Sequence, residues 1–332
     1  MTFPPYLSDV MSYHPMDWTL CEKRIHQALT DHPEDTVQIM HALKICYYVQ
    51  EKFDPCIETC EKLLGLYPDI TDIAETYNVM GSCYEGKYMY EQAIQNYEKS
   101  FELDPESGDC LRNLGDLYTN KIEYEKAIGV FERLLKVEYW EIEAFENLGY
   151  LHSLRKEYNQ AISYYKKAME LEPEEGFWTN QVAKMFYMDK QYPESEKWFR
   201  KLLEDSPSSA EAHYGIGSCK QEAGDYYLAM HHYNEALKLD PRHPRSLNNI
   251  GKLYFDFESD IKTAVEMIEK AIAYSEEDDT DIRSTAYLNL KRIYKQIADH
   301  DKADYYHQKF MECFGFTYEE VDEGGEEEEQ EN

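Results

Sequence analysis

Between residues 74 and 107, small or apolar side chains recur at Ala74, Tyr77, Met80, Gly81 and Tyr84. Steps of three and four residues place them on one stripe of a helix. The stripe returns along the chain. Gly81, Gly115, Gly149, Ala183, Gly217 and Gly251 each lie 34 positions after the one before. Ala93, Ala127, Ala161, Ser195 and Ala229 keep the same period, and Tyr97, Phe131, Tyr165, Phe199 and Tyr233 follow them by four residues. Three registers with one period constitute an internal repeat. A small residue fixed at one point of a helix stripe predicts that two helices cross there, because a larger side chain would force them apart. Pro105, Pro173, Pro207 and Pro241 stand where each second helix must stop, several of them beside Asp or Ser that favours a turn. The pattern therefore predicts a row of antiparallel helix pairs. Each pair has two apolar faces, so neighbours must stack to bury both.

The units read as 37–70, 74–107, 108–141, 142–175, 176–209, 210–243, 244–278 and 284–317. Unit 244–278 holds one extra residue near Asp260, which delays Ala264 and Ala271 by one. Unit 284–317 keeps Tyr287, Leu290, Tyr294 and Ala303 but has Lys291 where the small residue belongs. Unit 37–70 matches through Leu43, Tyr47, Phe53, Cys56, Leu63 and Pro68. Residues 1–36 match a second helix only, through Trp18, Cys21, Ile25, Ala28 and Pro33, and are expected to form a partial repeat or cap. These residues resemble the tetratricopeptide repeat (TPR) family over about nine tenths of the chain. The resemblance implies an all-α fold, a right-handed α-solenoid of about eight stacked helix pairs plus the N-terminal partial unit.

Charge narrows the function. The 332 residues include 66 acids and 34 Lys or Arg, a formal charge of −32, which argues against binding nucleic acid or an anionic membrane surface. No run of about 18 apolar residues suggests a membrane span, and the N-terminus lacks a secretory pattern, so an intracellular, cytoplasmic protein is expected. Of the eight cysteines, Cys46, Cys83 and Cys219 fall where other units have Leu117, Leu151, Met185, Leu253 or Ile293. Cys21 and Cys56 take a small position and Cys60 an aromatic one. Without a C-x-x-C pair these read as buried reduced thiols rather than zinc or redox sites, and they suit a reducing compartment. His231-His232 and His41 near Cys46 are expected to be solvated. Gly215-Ile216-Gly217 resembles half a dinucleotide fingerprint, but it belongs to the repeat and lies inside a helix. No catalytic, cofactor-binding or metal-binding residues are expected, and the chain reads as a non-enzyme.

The candidate chemistry is on the surface that the resemblance makes concave, lined by first-helix residues. At the sixth residue of the unit stand Asn113, Asn147, Asn249 and Asn289, with Gln181 as a fifth and Gly215 breaking the series. A carboxamide offers donors and an acceptor that grip a peptide backbone without reading its sequence. The series is similar to the asparagine ladder in the TPR arrays of O-linked N-acetylglucosamine transferases. The alternative is that these amides satisfy polar groups within the helix layer. The Lys, Arg and Asn clamp of Hsp90 and Hsp70 co-chaperones is absent in its usual register. Later positions are basic, with Arg245, Lys252, Arg292 and Lys295 around Asn248, Asn249 and Asn289; earlier ones are acidic, with Asp109, Asp116, Glu143, Glu146, Glu211 and Glu222 relieved by Arg112 and Lys184. Tyr150, Phe177, Tyr187, Tyr214 and Phe255 fall where the repeat does not require burial, and they are expected to face a partner. The tail 318–332 carries nine acids and no base, and is expected to be disordered, either solubilising or competing for the basic positions. The expected function is a non-enzymatic scaffold or adaptor that holds an extended protein or peptide segment. The alternatives are a self-associating (possibly homodimeric) TPR subunit of a larger assembly, or a regulatory subunit of a separately encoded enzyme.

Overall fold

The computed structural model describes residues 18–66, 72–173, 176–276 and 279–315. Residues 1–17, Pro68 and the acidic tail lie outside them. The described residues fall into two compact parts divided between Glu157 and Tyr158, inside the unit read as 142–175. The first part holds α1 (Trp18–Asp31), α2 (Thr36–Val49), α3 (Phe53–Leu66), α4 (Ile73–Gly86), α5 (Tyr90–Leu103), α6 (Gly108–Asn120), α7 (Tyr124–Leu134) and α8 (Glu141–Leu154). The second holds α9 (Tyr158–Leu171), α10 (Gly176–Met188), α11 (Tyr192–Asp205), α12 (Ala210–Glu222), α13 (Tyr226–Leu239), α14 (Pro244–Leu253), α15 (Ile261–Tyr274), α16 (Thr280–Gln296) and α17 (His300–Glu312). Among the described residues there is no strand, and the fold is an all-α helical repeat.

Two of the periodic series prove to be a single contact. A Cβ on Gly81 would lie 2.5 Å from the Tyr97 ring, one on Gly115 2.5 Å from Phe131, and one on Gly217 2.7 Å from Tyr233. In these three pairs the first helix is small there because the aromatic ring of the second lies against its backbone; at Gly251 the neighbour is Ile268 instead. In the first part the core from α1 to α4 is rich in thiols, joining Cys21, Cys46, Cys56, Cys60 and Cys83 to Ile25, Ile39, Leu43 and Met80. Seven of the eight cysteines are buried. Burial pushes the thiols of Cys46 and Cys219 up to about 11, which suits packing and not reactivity.

The turn inside each pair follows one rule. Glu51, Tyr88, Ile122, Lys156, Lys190, Gly224, Ser259 and Ala298 all take left-handed backbone, with φ between 54° and 80°. The residue after most of them donates its backbone N–H to the carbonyl five residues back; Met89 to Tyr84, Glu123 to Tyr118 and Asp225 to Lys220 each do so at 2.9 Å. This is the Schellman closure of a helix C-terminus. The extra residue of unit 244–278 is absorbed just before it. Tyr254–Glu258 winds as a π-helical turn, and Asp260 donates to the carbonyl of Tyr254, six residues back, at 3.2 Å.

Two histidine expectations need correcting. His41 is buried, 3% exposed, on the inner face of α2, and burial lowers its pKa. His232 is half-buried with its Nδ1 3.2 Å from that of His213; burial, with His213 and His231 beside it, pushes it down to about 4.

Candidate peptide-binding site

In the first part, α4, α6 and α8 supply the polar face. Asn113 donates its Nδ2 to Asn78 Oδ1 at 3.2 Å across the repeat boundary, and accepts from Arg112 at 3.2 Å. Asn147 donates to the carbonyl of Glu143 at 3.0 Å. Arg112 is shared by Asp109 at 3.2 Å and Glu143 at 3.9 Å, and its guanidinium lies 5.6 Å from the centre of the Trp140 ring. Asp116 is half-buried. Burial raises its pKa to about 6; Arg112 opposes the rise, and Glu143 and Glu85 add to it. Tyr150 is exposed, at 48%.

In the second part, the face runs over α10, α12, α14 and α16. Asn289 donates to Asn248 Oδ1 at 3.0 Å, Asn248 to Asn249 Oδ1 at 3.4 Å, Asn249 to the Tyr233 hydroxyl at 3.0 Å, and that hydroxyl to Gln221 Oε1 at 3.0 Å. A relay of amides therefore joins α16 to α12. Each amide bond spends one of the two N–H groups a carboxamide owns, and these residues satisfy the helix layer. Gln181 is half-buried on α10.

Glu211 is the electrostatic centre of this face. Its Oε2 is 3.2 Å from His243 Nε2, and its Oε1 is 2.9 Å from Lys184 Nζ and 3.7 Å from Arg245. Burial acts to raise its pKa, yet the hydrogen bond to His243 with Lys184 and Arg245 holds it at about 2. Beside it opens a cavity of about 370 Å³ lined by Lys184, Met185, Tyr187, Met188, Phe199, Glu211, Tyr214, Gly215, Ser218 and Arg245. A smaller one, about 190 Å³, shares Tyr214 and Arg245 and continues past Asn248 and Asn249 to Asp281, Ile282 and Thr285. Tyr214 is wedged between the rings of His243 at 5.3 Å and Tyr233 at 5.9 Å. Four expected residues, Lys184, Tyr187, Tyr214 and Arg245, thus share one cavity.

Other expected residues lie elsewhere. Phe177 is 43% exposed and meets Trp178 edge-on at 4.8 Å. Lys252 is half-buried and Lys295 exposed, without a place in either cavity. Arg292 pairs with Asp256 and caps the Phe255 ring at 5.2 Å. Phe255 itself, expected to face a partner, is 8% exposed in the core with Ala264, Ile268, Ala286 and Leu290. Phe255 stands on the π turn Tyr254–Glu258 and packs against the second helix of its pair and the helix that follows. Asn248 is also buried, as the middle of the amide relay.

Family models described as tetratricopeptide repeat match residues 74–107 and 142–175, 110–141, and 210–243. The chain carries tetratricopeptide repeats. Three of these matches have the same bounds as units read from the spacing of small residues. A comparison with curated proteins gives no match. Among solved structures, a tetratricopeptide repeat protein from Parabacteroides merdae is similar at 17% identity, over 77% of this chain and 99% of that one, with a TM-score of 0.59. At that identity the likeness concerns fold alone. YrrB, a TPR protein with an unusual peptide-binding site, aligns at 21% identity over 58% of this chain and 98% of its own, with a TM-score of 0.46. Cut9 with Hcn1, from the APC/C, aligns at 15% identity over 83% of this chain and 52% of that one, with a TM-score of 0.48. A TPR array is in general a protein-interaction fold, and among the described residues no helix is long and apolar enough to cross a membrane.

Sequence reasoning missed Met185, Met188 and Ser218 as cavity walls. The available signal was Gly215, the one interrupted rung of the amide series. It also missed a hollow of about 440 Å³ between α13 and the end of α14 with its π turn, where exposed Tyr227 adjoins Tyr226 stacked on Phe257 at 3.8 Å.

Proposed function

We propose that this TPR chain is a non-enzymatic scaffold or adaptor that holds an extended segment of a partner protein against the first helices of its pairs. The observation that carries the reading is the placement of Asn113, Asn147, Gln181, Asn249 and Asn289 at one repeat position, each half-buried on such a helix. Within each part, carboxamides on first helices offer the donors and acceptors that an extended backbone requires. The test is selection of binders from a random peptide library on the full chain, repeated with Asn113, Asn147 and Asn249 all changed to Ala. Loss of about 0.5–1.5 kcal/mol per hydrogen bond should weaken the selected peptides several-fold or more. The triple variant should melt close to the parent, because Ala is the better helix former and offsets the amide bonds removed. Undiminished binding would place the site on another face.

The second reading, self-association, is favoured by the exposed Tyr226, Tyr227 and Phe257 hollow, whose lining includes none of the asparagines of the series. Sedimentation separates the two, since a concentration-independent monomer leaves only ligand binding.

A further inference from the structure

We infer that the cavity at Gly215 is a side-chain pocket for a bulky apolar residue flanked by carboxylates in the partner segment. The inference rests on the peptide-binding reading and says which segments that face prefers. Gly215 stands where Asn113, Asn147, Gln181, Asn249 and Asn289 each project a carboxamide. It cannot follow them, because the Phe199 ring lies 2.3 Å from the place of its Cβ. The rung is replaced by open space of about 370 Å³, within the range of small-ligand pockets. Met185, Tyr187, Met188, Phe199 and Tyr214 make its walls apolar. Two methionines adapt to an aliphatic or an aromatic guest.

The charge of the guest follows from the mouth. Lys184 and Arg245 supply three and five N–H donors respectively against the single carboxylate of Glu211. Arg245 at 3.7 Å is beyond hydrogen-bond length, and its planar fork is suited to a second carboxylate held by two bonds. Asp281 adjoins Arg245 only through the smaller cavity and Glu222 acts on Tyr187 from outside the lining, so within the lining two cations face one carboxylate. In a chain of net charge −32, such an excess marks where an acidic segment is accepted.

The test uses fluorescent peptides of roughly 12 residues on a Gly-Ser background, which span about 40 Å when extended. Their centres read Asp-Leu-Glu, Asp-Ala-Glu, Asn-Leu-Gln, Lys-Leu-Lys or Gly-Ser alone. Against the full chain, Asp-Leu-Glu should bind about tenfold tighter than the alanine and the neutral peptides at low salt. Changing Lys184→Gln together with Arg245→Gln should abolish the preference for acid and keep the preference for leucine. With isotope-labelled methionine methyls, only Met185 and Met188 should shift strongly. Equal affinity for all five peptides, preference for Lys-Leu-Lys, shifts at other methionines, or binding by none would each overturn the pocket. Library-selected peptides that depend on the asparagines would in those cases leave the scaffold reading standing, and their absence would remove both.

Discussion

Asp116 on α6 and Glu211 on α12 are both half-buried carboxylates on the first helices of their pairs, and they end at opposite extremes. Burial pushes Asp116 up to about 6, where Glu143 and Glu85 reinforce it and Arg112 alone resists. Burial pushes Glu211 the same way, but His243, Lys184 and Arg245 overrule it and hold it near 2. Depth is shared; the neighbours decide. Glu211 read in the sequence as one more acidic position of the face, yet its role is to organise cations. One repeat architecture thus carries an acid-strained face in its first part and a cation-lined cavity in its second.

The largest expected effect comes from breaking the second case. Glu211→Gln should lower stability at pH 7 by about 2 kcal/mol, after discounting the shift for solvent access. The folded pKa lies below the ordinary value of 4.5, so the contribution is complete above 4.5 and fades as pH falls towards 2. Denaturation midpoints of parent and variant should therefore converge in that window. Parallel curves down to pH 3 would mean that packing, not charge, was lost.

Asp116→Asn is the mirror experiment. A carboxylate whose folded pKa is raised costs stability above about 6, and the cost fades as pH falls to the ordinary 3.8. The variant should gain about 1 kcal/mol at pH 7 after the same discount, and nothing at pH 4. A loss at pH 7 would show that Arg112 dominates, and the contrast between the two parts would disappear.

Much of this was legible before any coordinates. Gly81, Gly115 and Gly217 betrayed the crossings because a flat aromatic ring leaves a helix backbone no alternative. Asn113, Asn147 and Asn249 stand at multiples of 34 residues, so their shared register was visible, whereas the bonds they make within the helix layer were not. The turns were not visible. Of the eight left-handed positions at the turns inside the pairs only Gly224 is glycine, while Glu51, Tyr88, Ile122 and Lys156 in the first part tolerate the strain because the Schellman bonds and the packed pair fix the turn. Phe255 misled because its place in the unit does not reveal the π turn on which it stands or the core it joins there. The turn also allows a third contrast. Tyr88→Gly should stabilise the first part by about 0.5–1 kcal/mol, and Gly224→Ala should destabilise the second by a similar amount. Equal melting in both would mean that the turn is not strained.

The smallest effect concerns the tail. Residues 316–323 read Phe-Thr-Tyr-Glu-Glu-Val-Asp-Glu, apolar side chains among carboxylates, which is the class the Gly215 cavity is inferred to take. The end of α17 lies beside the start of α16, because Arg283 acts electrostatically on Cys313 and Tyr287 on Lys309. That same start of α16 lines the smaller cavity with Arg245. Seventeen residues from 316 to 332 could span about 56 Å when extended, several helix spacings of roughly 10 Å. Each exposed ion pair is weak and screened over about 8 Å at physiological salt, so competition would act through effective concentration. Removing residues 318–332 should raise affinity for the Asp-Leu-Glu peptide by a few-fold at low salt, and the gain should vanish at about 0.5 M salt. Equal affinity of both chains at low salt would reduce the tail to a solubilising extension, and the cavity would then be open to its partner at any ionic strength.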